Sequence, residues 1–408
     1  MKKNWGWLFS KVLPKLPIFL LALPFAFLMR LLRPIIWIRL IPVSERIGHA
    51  VANTDVYLLE RRAGFESSKA VDIFYPDRPW KCNRQLIKMW QRLIPLHDFV
   101  YWIAWVNLKI PWGSAPHHYV SIRNGRDINA LSDDTPPPVS FTRKEEDQGA
   151  ALLRAMGVPV GSRIICFHGR DSAFLKVLRP EADWNYHDYR DVDINTYVPA
   201  IKELVKRGYY CIRMGRVVNQ EFSWKHPQVI DYATGPWRSD FADMYLISRC
   251  YFYIGTSCGI DFVASLFRKP QVILNIVPMS HVCAWSSNYF NIFKKLWLKE
   301  EKRFLTFKEI VSSDVAEYMD GWQYQQRGLE VVSNTPEEIL DAVIEKEERM
   351  NGSWQTNDEH EKLQQEFWGL FQPNAFNRVF RARVGSKFLL QNRQLLLGKY
   401  NAIYSNGA

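Results

Sequence analysis

The 408-residue chain has no uninterrupted apolar run of membrane-spanning length, no CxxC pair, and a single acid, Glu45, in its first 46 residues. Each absence excludes something. The longest apolar run, Leu16 to Met29, is broken by Pro17 and Pro24 and closed by Arg30. A spanning helix needs about 17 to 25 residues, and an interior proline removes a backbone hydrogen bond. A monotopic or re-entrant anchor is therefore expected, with a single ragged spanning helix as the alternative. No small-x-small site follows the run, which argues against a cleaved signal peptide. The six cysteines (Cys82, Cys166, Cys211, Cys250, Cys258, Cys283) lack zinc or redox spacing, so reduced thiols and a cytoplasmic setting are expected. Against Glu45 stand Lys2, Lys3, Lys11, Lys15, Arg30, Arg33, Arg39 and Arg46, giving this arm +7 of the chain's +11. These cations are interleaved with Trp5, Trp7, Leu8 and Phe9, a pattern that suits an anionic membrane surface better than nucleic acid.

Hydrophobic residues at 47% and charged residues at 23% exclude wholesale disorder. The length suits two domains with appendages. The first region contains short apolar stretches, Val71 to Phe74 and Phe99 to Leu108, with little periodicity. Asp133 to Pro138, with three consecutive prolines, is the clearest linker. The expected division is a membrane-associating arm at 1–45, an acceptor-side domain at 46–134, a Pro-rich linker at 135–141, a nucleotide-sugar domain at 142–350 and a helical tail at 351–408 that packs back.

After the linker the local signals sharpen. Thr142 and Glu145 form a capping box before a helix that Gly157 closes. Arg163 to Phe167 has the continuous apolar character of a strand covered on both faces. Helical spacing from Ile194 to Val205 ends at Gly208 and is followed by a strand at Tyr209 to Met214. A short helix at Met244 to Ser248, a strand at Tyr251 to Ile254, a helix at Ile260 to Phe267 and a strand at Gln271 to Asn275 complete the alternation, and Pro336 to Arg349 is a late helix. This is the grammar of an α/β fold with a parallel sheet.

Ligands of such sheets gather at the carboxyl ends of the strands. The loops there are His168-Gly169-Arg170-Asp171, Gly215-Arg216, and Gly255-Thr256-Ser257-Cys258-Gly259. The last is a small-residue loop opening a helix, able to present backbone amides to a phosphate, or else a plain tight turn. Arg170, Arg213 and Arg216 bring charge suited to a diphosphate, although Arg213 lies within a strand and could pair with a buried acid. Asp191-Val192-Asp193 has the DxD form of a metal-binding triplet, but its place before the Ile194 helix favours capping, and no metal is expected. His117, His118, His187, His226 and His281 lack ligand spacing. Glycosyl transfer needs a base, for which His49 and Asp171 are the candidates, each with a structural alternative.

The elements Arg46-Ile47-Gly48-His49, Arg170-Asp171-Ser172-Ala173-Phe174-Leu175, Asp188-Tyr189-Arg190-Asp191, Tyr197 to Gly208, Arg213-Met214-Gly215 and Gly255-Thr256-Ser257-Cys258-Gly259 together resemble a family of bacterial glycosyltransferases of surface-polysaccharide loci. The resemblance implies a GT-B fold, two Rossmann-like domains facing a cleft. It implies a donor set of Arg170, Tyr189, Arg190, Arg213, Gly215, Arg216, Thr256, Ser257, Cys258 and Gly259. The implied partners are a nucleotide-sugar donor and a lipid-linked, lipopolysaccharide or capsular glycan acceptor at the cytoplasmic face of the inner membrane, with no cofactor. The loops also resemble those of fucosyltransferase-type enzymes. Two departures stand out: residues 46–134 are few for a full Rossmann unit, and Cys258 stands where a second serine is commoner. A polysaccharide pyruvyl transferase-like enzyme and a non-catalytic membrane-bound assembly protein are the alternatives.

Overall fold

The computed structural model describes residues 16–66, 69–77, 82–119, 125–178, 180–181, 183–374 and 377–398. The basic start of the expected arm, Lys2 to Lys15, and the last ten residues of the tail lie outside them. Two compact units are present: residues to Gly125 with Pro138–Ser140, and Arg126–Pro137 with Phe141 onward. Residues 126–137, assigned from sequence to the first domain and linker, thus belong to the second unit.

The first unit opens with α1 (Leu16–Leu31), then β1 (Trp37–Val43), α2 (Ile47–Arg62), β2 (Ala70–Pro76), α3 (Arg84–Gln91) and α4 (Val100–Lys109). Strands β1 and β2 run parallel, Arg39 opposite Asp72, with α2 as the crossover. Single bridges from Leu40 to His118 and from Phe74 to Leu96 extend the two edges. The resemblance implies a Rossmann-like domain here, for which residues 46–134 are few; the described residues form one β-α-β unit. Beside its buried apolar side chains, such as Phe74, Leu86 and Trp90, the unit holds a polar network. Arg39 donates to both oxygens of Asp72, at 2.6 and 3.0 Å, and to Glu66 at 2.8 Å. Arg61 and the Tyr57 hydroxyl reach the same Asp72 carboxylate.

In the second unit the Thr142 capping box starts α5 (Arg143–Ala155), and Gly157 ends it at φ +76°. Then follow β3 (Ile164–Phe167), α6 (Ala173–Leu178), α7 (Val198–Lys206), β4 (Tyr210–Arg213), β5 (Val229–Asp231), α8 (Asp240–Arg249), β6 (Phe252–Gly255), α9 (Asp261–Leu266), β7 (Gln271–Ile276) and β8 (Tyr289–Phe293). A three-stranded antiparallel sheet of β9 (Lys295–Leu298), β10 (Arg303–Phe304) and β11 (Leu329–Val332) is interleaved with α10 (Phe307–Val311) and α11 (Gly321–Gln326). The chain ends with α12 (Pro336–Asn351), α13 (Asp358–Trp368), β12 (Arg383–Val384), α14 (Ser386–Gln391) and α15 (Arg393–Leu397).

The main sheet has seven strands in the order β12-β8-β7-β6-β3-β4-β5, all parallel. The four strands β3, β6, β7 and β8 are buried along nearly their whole length, which is why they appear as unbroken apolar runs rather than alternating ones. From β3 the chain moves outward through β4 and β5, then returns to build β6, β7 and β8 on the other side. The order therefore reverses between β3 and β6, and the loops after these strands flank a topological switch point. The tail contributes more than packing, since β12 adds an edge strand beside β8.

Candidate functional site

The loop after β3 and the loop after β6 are stitched together. His168 N donates to the Ile254 carbonyl at 2.8 Å, and Arg170 N to Thr256 Oγ1 at 3.1 Å. Thr256, nearly fully buried, thus acts as a strut between the loops. Gly255 is required behind it, because a Cβ there would lie 2.5 Å from the Asp261 carboxylate.

That carboxylate changes the reading of the Gly255–Gly259 loop. Asp261 Oδ2 accepts the amides of Thr256, at 3.2 Å, and Cys258, at 2.9 Å, while the Cys258 thiol meets Oδ1 at 3.3 Å. Two of the amides suited to a phosphate are therefore taken by an acid of the chain itself. Burial pushes the Asp261 carboxyl upward, and the same burial pushes up the Cys258 thiol beside it. The helix that follows has six residues, too short for a large dipole. Gly255→Ala is expected to displace the carboxylate and destabilise the protein by about 1–3 kcal/mol, the usual cost of overpacking; a thermal-shift measurement with no change would show that the loop does not depend on this contact.

The cations differ in what holds them. Arg213 is 2% exposed and donates to Asp231 Oδ2 at 3.0 Å across the β4–β5 pair. Its charge is spent inside the sheet, so the structure places it apart from the donor role expected of it. Arg216 is exposed, and Gly215 fills a spot where a Cβ would meet Val218 at 2.9 Å and Ala233 at 3.0 Å. Asp171 binds the amides of Ala173 and Asn219, each at 2.9 Å, one with each oxygen. It fastens two loops rather than standing open as a base.

Arg170, Arg190 and Lys294 form the remaining group. Arg170 pairs with Asp191 and donates to the His187 carbonyl at 3.1 Å. Arg190 donates from Nη2 to the Ser257 carbonyl at 2.6 Å, and its buried Nε has no acceptor among the described residues. Ser257 stands at φ +56°, a conformation sparsely populated by residues other than glycine. Lys294, at the carboxyl end of β8 and 4% exposed, donates to the carbonyls of Tyr189, at 2.9 Å, and Asp191, at 2.8 Å. Among the described residues Arg170 alone of the three is ion-paired, while Asp261 acts on Arg190 and Asp188 and Asp171 on Asp191 through space. Burial first, with the field of Arg170 and Arg190, leaves Lys294 pushed down to about 8, against the pull of Asp191. Burial, with Arg126 and Arg190 adding to it, pushes His281 down to about 4. Asp191 is itself pushed up to about 6, because burial outweighs the pull of Arg170. The Tyr189 hydroxyl is turned to the Met319 carbonyl at 2.9 Å, and burial pushes it up to about 12.

Both DxD acids have partners within the chain. Asp191 holds Arg170, and Asp193 Oδ1 caps the following turn through Asn195 N at 2.9 Å and takes Gln220 Nε2 at 2.7 Å.

No family model matches the chain, and no curated protein does. Solved structures give distant matches. A glycosyl transferase family 9 protein from Veillonella parvula DSM 2008 matches at TM-score 0.44 and 10% identity, covering 63% of this chain and 85% of that one. The ADP-heptose lps heptosyltransferase II of E. coli matches at TM-score 0.35 and 16% identity, covering 62% and 89%. The iron-containing dodecameric glycosyltransferase TibC from enterotoxigenic E. coli H10407 matches at TM-score 0.31 and 15% identity, covering 62% and 59%. Likeness at these values decides neither fold nor activity here.

Two imidazoles complete the inventory. His49 lies in the first turn of α2, just past the carboxyl end of β1, half-buried and without a hydrogen-bond partner among the described residues. Burial and the nearby Arg46 hold it below the ordinary histidine range. His168, not singled out from sequence, shares its Nδ1 with the Met214 carbonyl at 3.0 Å, which sets Nδ1 as the protonated nitrogen and leaves Nε2 as an acceptor. Burial keeps it neutral as well.

Proposed function

We propose that the protein is a glycosyltransferase of GT-B type, moving a sugar from a nucleotide-sugar donor to a lipid-linked, lipopolysaccharide or capsular glycan acceptor at the cytoplasmic face of the inner membrane. The observation that carries this reading is the buried cluster of three cations, Arg170, Arg190 and Lys294, at the switch point of a parallel sheet, with only Arg170 ion-paired among the described residues. A nucleoside diphosphate is the ligand whose charge matches it. Guanidinium and ammonium donors on the diphosphate stabilise the negative charge that develops as the anomeric C–O bond breaks, so no metal is assigned to the site. The acceptor hydroxyl forms the new C–O bond, its proton passes to a base, and the nucleoside diphosphate leaves. His49 is the proposed base, being held below the ordinary histidine range and without a hydrogen-bond partner among the described residues; Asp171 is less suited because each of its oxygens already holds an amide.

A panel of sugar nucleotides offered with membrane glycolipid extract tests the activity. Transfer from one donor is expected. No transfer, no hydrolysis and no donor binding across the panel would overturn it, whereas binding without transfer would favour a non-catalytic assembly protein.

Lys294 makes the reading pH-dependent. Its charge is present below about pH 8 and is lost as pH rises through that value. Affinity for a nucleoside diphosphate should therefore fall by about tenfold from pH 7 to pH 9, the weight of one charge-assisted contact. Calorimetry on Lys294→Met should give weaker binding with a flattened profile; an unaltered pH slope in the variant would remove Lys294 from the site.

A further inference from the structure

Helices α1 and α4 are far apart in the chain and form one apolar body. Ala22, Ala26 and Val106, all fully buried, close the seam, with Phe19 edge-on to Trp105 at 6.0 Å and Phe25 to Phe99 at 5.9 Å. Arg30, the only charged residue of α1, is turned inward. Its guanidinium takes the carbonyls of Asn107, Ile110, Pro111 and Trp112 and the Asn107 side chain, capping the end of α4 and clipping the helices together.

Among the described residues the outward face of this body has no polar cover. Leu20, Leu21, Phe27 and Leu28 are each half exposed or more, and Leu31 is 76% exposed. Neither helix contains an acid. Past the clip, Trp112 is 90% exposed although it stands at φ +57°, a costly conformation for a bulky side chain that finds little packing among the described residues. Exposed apolar area of this kind marks an interaction surface. The charges around it select the partner: Arg33 and Lys109 are exposed, and Lys2, Lys3, Lys11 and Lys15 precede α1 in the sequence. No helix among the described residues is long and apolar enough to cross a membrane, and 16 residues of α1 span only about 24 Å against roughly 30 Å of hydrocarbon.

We propose that α1, α4 and Trp112 form a single in-plane surface that inserts into a bilayer leaflet containing anionic lipid, with Trp112 at headgroup level. It rests on the membrane half of the proposed function and extends the anchor from the amino-terminal arm to a helix some eighty residues later.

Co-sedimentation of the full chain with phosphatidylcholine vesicles, with and without phosphatidylglycerol, tests this. Binding should require the anionic lipid, and both Trp112→Ser and the pair Leu20→Ser with Leu28→Ser should weaken it about tenfold, as expected for withdrawing large apolar side chains from the interface. Nucleoside diphosphate binding, read in parallel, should be unchanged, which also shows that the variants fold and separates this proposal from the donor reading. Wild-type vesicle binding by both variants would overturn it. So would loss of self-association in sedimentation velocity with vesicle binding intact, since a second copy would then be what covers the face.

Discussion

Replacing Arg190 by alanine is expected to weaken nucleoside diphosphate binding by about ten- to a hundredfold, the range for hydrogen bonds to a charged group, without lowering the thermal midpoint of the unliganded protein. The two halves of this expectation have one cause. Among the described residues Arg190 has no hydrogen-bonded carboxylate and its buried Nε has no acceptor, and it lies near Arg170 and Lys294. Burial and the field of Arg170 both press its proton affinity down. In the unliganded protein such a group costs stability, so its removal relieves repulsion and forfeits only the contact to Ser257. A bound diphosphate supplies the missing negative charge. Arg190→Lys should recover part of the affinity, because the charge returns but the forked geometry does not. Calorimetry with one nucleoside diphosphate and a thermal melt on the same samples give both readings. A large fall in midpoint with affinity retained would make Arg190 a structural residue.

Asp231→Ala should have the largest effect on stability. Arg213 is 2% exposed and would lose its carboxylate partner, while Phe222 N, which donates to the same oxygen at 3.1 Å, would lose its acceptor. Breaking a buried ion pair on one side costs about 3–5 kcal/mol, which for a unit of this size lowers the midpoint by about 10 °C. The double variant Arg213→Met with Asp231→Ala should recover much of the loss, since no charge is then left uncompensated. If Arg213 instead bound the donor, the double variant would fold and fail to bind. Retained binding in that variant is the expected result.

Strands β3, β4, β6 and β7 were legible because each is a largely buried apolar run bounded by strong punctuation, whereas β5, β8 and β12 were not read from the sequence, β5 and β12 being short and only partly buried. Gly157 and Gly208 end helices where expected, at φ +76° and +88°, and the Thr142 capping box forms as read. The helix expected from Ile194 begins as a tighter 3-10 turn, with Pro199 near the start of the α-helical part. The first unit was hard to read because its fold depends on few strands and on Asp72, whose partners Arg39, Tyr57 and Arg61 are scattered in sequence. The candidate site was legible by address and not by chemistry. Strand ends pointed to the loops after β3 and β6, yet glycine-rich composition could not reveal that Asp261 folds back onto two of the loop's amides. Arg213 was visible as a cation, while its partner eighteen residues later was not. Lys294 had no local signal at all: it follows an apolar strand, and its relation to Tyr189 and Asp191 exists only once β8 is placed in the sheet.

The most direct test of the central claim is the position of a nucleoside diphosphate in a crystal structure of the complex. The account predicts density for the diphosphate within hydrogen-bonding distance of Arg190 and Lys294, at the carboxyl ends of β3, β6 and β8. A diphosphate bound elsewhere on the second unit, with these cations untouched, would contradict it.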